Sequence, residues 1–170
     1  PVLFADVTYS FYKVYCGLYS LPYRLVPLDA GMGVVVDDYV GPCGGIVLAN
    51  PNAPTGMALD LAEIRRLLER HPGRVVLVDE AYVDFGAQSA AGLVREYPNL
   101  LVVQTFSKSR ALAGLRVGFA FGQPELIEGL TRVKDSFNSY PLDRLAQAGA
   151  LASVEDEAWL TRCVGQVVDS

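Results

Sequence analysis

The stretch "RVVLVDEAY", residues 74–82, decides the fold. An unbroken apolar run from Val75 to Val78 leads straight into Asp79 and Glu80. A strand with water on one face alternates apolar and polar residues, whereas a continuous apolar run reads as a strand covered on both faces, as in parallel sheets. "LLVVQT" (100–105) and "RVGFAFG" (116–122) have the same character, and "VLFAD" (2–6), "YRLVPLD" (23–29) and "GGIVLA" (44–49) are β-rich runs upstream.

Helix-like segments separate these runs. "YSFYKVYCGLYS" (9–20) follows the first. The clearest helix starts at Asp60, a capping residue whose box is completed by Glu63; Leu61, Ile64, Leu67 and Leu68 form one apolar face, and His71, Pro72 and Gly73 end it. Further helices are expected at about 89–96, 124–135 and from about 142 onward. Strands alternating with helices imply an α/β fold, a three-layer sandwich around a mainly parallel sheet. No repeat, low-complexity tract or linker interrupts residues 1–170, so a single domain is expected.

Composition narrows the function classes. The 170 residues carry a net charge of −5, which disfavours nucleic-acid backbones and anionic membranes as partners, because both need a basic face. Small anionic ligands need only one basic pocket. Cys16, Cys43 and Cys163 lack any C-x-x-C spacing, so neither a disulfide framework nor a metal site is suggested, and a reducing cytoplasm is the expected location. No apolar run approaches the roughly 18 residues that span a bilayer.

In sheets of this type ligands gather at the carboxyl ends of strands. Those ends offer Tyr9, "ANPNAPTG" (49–56), "DEAY" (79–82) and "TFSKS" (105–109). A carboxylate placed after a buried strand needs a cation, a metal or a protonated ring nitrogen, unless Asp79 is only a turn or cap residue. The Asp79-Glu80 pair also resembles the magnesium-binding strand of a nucleotide-hydrolysing module, but the G-x-x-x-x-G-K-[ST] loop which that reading requires is absent. Lys108 is either a solvated surface residue or a partly desolvated amine, nucleophilic toward an aldehyde. Thr105, Ser107 and Arg116 beside it can hold a phosphate. An aldehyde carrying a phosphate satisfies all four, and pyridoxal phosphate adds a ring nitrogen to partner Asp79. Tyr82 can reach the ring hydroxyl of such a ligand and Tyr9 can stack on its face, although Tyr9 could simply be core. His71, the sole histidine, reads as a helix cap.

The ordered motifs NPNAPTG, VVLVDEAYVDFG, TFSKSRALAGLRVGFAFG and VKDSFNSYPLDRLAQAGA, with DVTYSFY before them, resemble the fold type I pyridoxal-phosphate aminotransferases, and among them the histidinol-phosphate aminotransferases. The resemblance implies that Lys108 forms the Schiff base and shuttles the proton, while Asp79 keeps the pyridine nitrogen protonated. It further implies that Tyr82 bonds the ring oxygen, that Thr105, Ser107 and Arg116 hold the phosphate, and that Tyr9 stacks on the ring. Where that family often has Asn before Pro-Thr-Gly, this chain has Ala53, so the role passes to Asn52, with Asn50 as the fallback.

The resemblance also implies small-molecule amino-acid and 2-oxo-acid substrates and a homodimer. The chain is expected to be the central part of a large domain, without an N-terminal arm or a C-terminal small domain, and poorly active alone. A decarboxylase of a phosphorylated amino acid and a non-catalytic scaffold are the alternatives.

Overall fold

The computed structural model describes residues 1–170. Six strands form one sheet: β1 (Val2–Ala5), β2 (Tyr23–Val26), β3 (Gly45–Ala49), β4 (Val75–Asp79), β5 (Leu100–Thr105) and β6 (Gly118–Phe121), in the order β2-β1-β3-β4-β5-β6. All neighbours are parallel except β5 and β6. Helix α1 (Phe11–Leu18) connects β1 to β2, and α2 (Leu61–Arg70) connects β3 to β4. The two connections step across the sheet in opposite directions. Because crossovers of this kind are right-handed, the two helices must lie on opposite faces.

Side-chain alternation along the strands matches this placement. Leu3, Ile46, Leu48, Val76, Val78, Leu100 and Val102 share a core with Ile64, Leu67 and Leu68 of α2. Phe4 and Ala49 pack on the other face against Tyr12 and Cys16 of α1. Helix, sheet and helix give the expected three layers. Asp60 accepts a hydrogen bond from the Glu63 N–H at 2.9 Å and so caps α2, but the Glu63 carboxylate turns to Arg66. His71 ends the helix, and its Nε2 lies 2.8 Å from the Tyr39 carbonyl oxygen. Tyr39 is buried with no partner for its hydroxyl.

Four expectations are corrected. β6 is not another doubly covered strand: it is an antiparallel edge strand with Phe119 and Phe121 exposed. The chain between β5 and β6 contains no crossover helix, only turns, and a chain that doubles back this way pairs antiparallel. The segment at 89–96 forms only a 3-10 turn, Ala90–Leu93, since Gly92 weakens a helix and Pro98 closes the stretch. β2 stops at Val26 because Pro27 offers no N–H to a ladder. The long C-terminal helix is two helices, α4 (Arg144–Glu155) and α5 (Glu157–Val168), divided at Asp156, whose side chain accepts from the Trp159 N–H at 3.0 Å. Helix α3 (Pro124–Phe137) precedes them and buries none of its residues. No helix is long and apolar enough to cross a membrane.

Candidate active site

β1 and β3 are neighbours whose onward connections diverge, so a crevice opens between their carboxyl ends. The cleft found there has a volume of about 370 Å³, within the roughly 300–1,000 Å³ usual for small-molecule sites. Tyr9, Asp79, Tyr82, Thr105, Ser107, Lys108 and Arg116 all line it. The fold thus gathers seven of the eight residues singled out by sequence, from loops spread over more than half the chain.

Asp79 ends β4 and aligns with Ala49 of β3. Its Oδ2 accepts a hydrogen bond from the Tyr12 hydroxyl at 2.7 Å, and its Oδ1 accepts one from the Ala81 N–H at 3.2 Å. Burial, then the charge of Asp79 and the bond to it, push the Tyr12 hydroxyl far above the usual tyrosine range. Glu80 faces the opposite side, as the two-residue period of a strand requires. It is 1% exposed and accepts from the Ser89 hydroxyl at 2.6 Å and the Gln104 amide at 2.7 Å. Asp79 and Glu80 therefore do not converge on one ion, and the geometry offers nothing to the nucleotide-hydrolysing alternative.

The loop after β5 carries the positive charge. Lys108 Nζ lies 5.0 Å from the centre of the Tyr82 ring, so its amine is held at the cleft wall by a cation–π contact. The Thr105 hydroxyl donates to Ser107 Oγ at 2.9 Å and accepts from the Ser107 N–H at 3.1 Å, a turn that sets both hydroxyls side by side. Arg116 adopts φ 55°, a left-handed conformation uncommon for a side-chain-bearing residue, and commits one guanidinium N–H to the Ala113 carbonyl at 2.9 Å. The remaining N–H groups are free for an anion. Arg110 points elsewhere: it bonds the Ser153 carbonyl, pairs with Glu157 at 3.2 Å and stacks over Phe106, tying the loop to α4 and α5. Ala146 of α4 packs behind the same loop on Phe106 and Val117.

One carboxylate at the floor, one amine at the wall and an arginine with two hydroxyls at the rim suit a planar ligand bearing a basic ring nitrogen, an aldehyde and a phosphate. Residues 1–168 match the family model "Aminotransferase class I and II". The chain belongs to that aminotransferase family. It is 77% identical over its whole length to histidinol-phosphate aminotransferase of Acetobacter pasteurianus and 61% identical to histidinol-phosphate aminotransferase 2 of Rhizobium meliloti, covering 48% of each. The chain spans about half the length of the curated relatives it matches. The crystal structure of histidinol-phosphate aminotransferase from Sinorhizobium meliloti, solved in complex with pyridoxal-5'-phosphate, has the same fold: TM-score 0.89 at 21% identity, over all of this chain and 48% of that one.

Asn52 is the one candidate that the aminotransferase chain keeps out of the cleft. Buried to 2% exposure, its amide donates to the Val7 carbonyl at 2.9 Å and to Thr55 Oγ1 at 3.1 Å, pinning its loop to the end of β1. Asn50 is committed to both backbone groups of Leu59, and Ala53 lines the cleft instead. Two polar lining residues escaped the sequence reading, Tyr12 and Gln104. A signal for Tyr12 existed: it stands three residues after Tyr9 at a helix start, the spacing that puts two side chains on one face.

Proposed function

We propose that the protein carrying this chain is a pyridoxal-phosphate-dependent aminotransferase that exchanges an amino group between histidinol phosphate and 2-oxoglutarate. The observation that carries this reading is the convergence of Lys108, Asp79 and the Thr105–Ser107–Arg116 rim on one cleft. The substrate assignment is supported by the curated relatives, which are histidinol-phosphate aminotransferases. When bound, the cofactor supplies an electron sink for the pair released as the substrate's α-proton leaves.

The chain's own residues do the rest. With the cofactor bound, Lys108 would supply the amine that meets its aldehyde and, once the substrate's own amine had displaced it, would as a free amine take the α-proton and return it to the acceptor carbon. Asp79 is the acceptor for a protonated ring nitrogen. Arg116, Ser107 and Thr105 hold the phosphate, with the guanidinium bearing most of its charge. Tyr82 donates to the ring oxygen, Tyr9 covers one ring face, and Asn52 shapes the wall by fixing its loop. Exposed apolar residues along α1, among them Phe11, Val14 and Leu18, suit a second subunit, and the working form is proposed to be a cytoplasmic homodimer.

The test is to mix the full-length protein with pyridoxal phosphate, reduce with borohydride and map the modified peptide by mass spectrometry. A single adduct on Lys108 is expected; scattered labelling overturns the reading. Assay with histidinol phosphate and 2-oxoglutarate then separates amino transfer from decarboxylation, which releases carbon dioxide. The 170-residue piece alone is expected to turn over poorly.

A further inference from the structure

We propose that Tyr12 is a positioning residue: by donating its hydroxyl hydrogen to Oδ2 of Asp79 at 2.7 Å, it holds that carboxylate in the orientation in which it receives a ring N–H from the cleft. The inference rests on the reading of the cleft as a pyridoxal-phosphate site. Tyr12 is not aimed at Asp79 by that bond alone. Its ring sits edge-on to Phe4, with centroids 5.9 Å apart, and edge-on to Tyr9 at 5.5 Å. Those two contacts and the α1 backbone fix the direction of the hydroxyl whether or not the carboxylate is present.

The consequence for Asp79 is an asymmetry between its two oxygens. Oδ2 is tied to Tyr12, the only side chain that donates to this carboxylate, and Oδ1 has a single long bond to the Ala81 N–H. A carboxylate anchored through one oxygen by a fixed donor presents its other lone pairs in a set direction. A ring N–H entering the cleft therefore meets an acceptor already aimed at it, which favours the protonated ring nitrogen. Tyr12 can play this part throughout the working pH range, because burial beside a negative charge keeps its hydroxyl protonated. The other titratable groups facing the cleft are Tyr9 next to α1, Tyr82 after β4, and Lys108 and Arg116 from the loop after β5. Neither cation donates a bond that sets the orientation of Asp79.

The experiment compares the full-length protein with Tyr12→Phe and with a protein carrying 3-fluorotyrosine at position 12, whose more acidic hydroxyl is a stronger donor. Borohydride mapping is done first on all three. Each is then loaded with ¹⁵N-labelled pyridoxal phosphate for measurement of the ring-nitrogen chemical shift and the pH titration of the visible absorbance band. With Tyr12→Phe the ring-nitrogen signal moves toward the unprotonated position and the apparent pKa of the band rises by roughly half a unit or more. Turnover falls roughly tenfold, the order expected for one lost hydrogen bond to a charged group, with KM little changed. Fluorotyrosine moves the band the opposite way.

A variant labelled on Lys108 that shows wild-type nitrogen shift and titration overturns the inference and leaves the cofactor reading intact, as does a change confined to melting temperature. A wild-type protein that is not labelled on Lys108 overturns both. If Tyr12→Phe does not fold, the fluorotyrosine protein decides alone, and an unchanged titration in it counts against the proposal.

Discussion

Tyr12 and Asp79 are separated by 67 positions in the chain and joined by a hydrogen bond of 2.7 Å. The bond crosses from the first turn of α1 to the end of β4, so it exists only when β1, β3 and β4 are assembled in order. Replacing Asp79 by Asn keeps the size of the side chain and removes the charge that a protonated ring nitrogen needs. Turnover in the full-length protein should fall by roughly 10²–10⁴, the range for losing control of a catalytic proton, while circular dichroism stays unchanged. Steady-state kinetics check this.

Lys108→Ala removes the only lysine in the cleft. No reducible adduct should form in the full-length protein, and activity should drop by at least about 10³-fold, since covalent capture and the proton shuttle are lost together. Retention of a borohydride-stable label at another lysine would falsify the assignment.

Glu80 is a stability residue despite standing next to Asp79. Glu80→Ala removes the acceptor of the half-buried Ser89 hydroxyl and Gln104 amide and strands the fully buried Ala90 N–H. Each orphaned donor costs roughly 1–3 kcal/mol when buried, so the variant should unfold at clearly lower urea concentration. Glu80→Gln should fall between it and the wild type.

Tyr39 predicts an alkaline effect. Burial, then the charge of Asp6, raise its hydroxyl well above the tyrosine range. Above about pH 10 the unfolded chain releases this proton and the folded chain keeps it, so the unfolded state binds fewer protons and stability falls as pH rises. Tyr39→Phe removes that loss together with an unpartnered buried hydroxyl. It should stabilise the protein by about 1 kcal/mol near neutrality and flatten the decline above pH 10 in denaturation series. A steeper decline in the variant would contradict the placement.

Arg110 links the Lys108 loop to the C-terminal helices through Ser153 and Glu157. Arg110→Ala should speed amide hydrogen exchange across 144–168 and in the loop at 106–117, with β1, β3 and β4 unaffected. Uniform acceleration over the whole sheet would show that the contact is not local.

The strands of this fold were readable because apolar runs and their bounding Gly and Pro residues are local signals, and α2 was readable from Asp60 and its apolar face. β6 was not, since "RVGFAFG" is as apolar as a central strand and its edge position follows from the missing crossover helix before it. Among site residues, Lys108, Asp79 and Arg116 announced themselves as charges in apolar surroundings. Asn52 was misplaced because an amide in a turn can face either way, and its direction is set by the Val7 carbonyl, 45 residues upstream. Tyr12 was hidden among nine tyrosines, and only the sheet order brings it to Asp79.

The switch point between β1 and β3 has a consequence for how the molecule comes together. No part of the cleft is complete within one strand–helix unit: the aromatic wall comes from residues 9–12, the carboxylate from 79 and the amine from 108. Long loops must close before such distant pieces meet, and closing them is the slow part of folding for parallel sheets. The groups lining the cleft become neighbours only once β1, β3, β4 and β5 stand side by side, so a half-assembled chain has no formed cleft. A ligand captured there adds its binding free energy to the native state alone, as RT ln(1 + [L]/Kd), and its colour reports the moment at which assembly is complete.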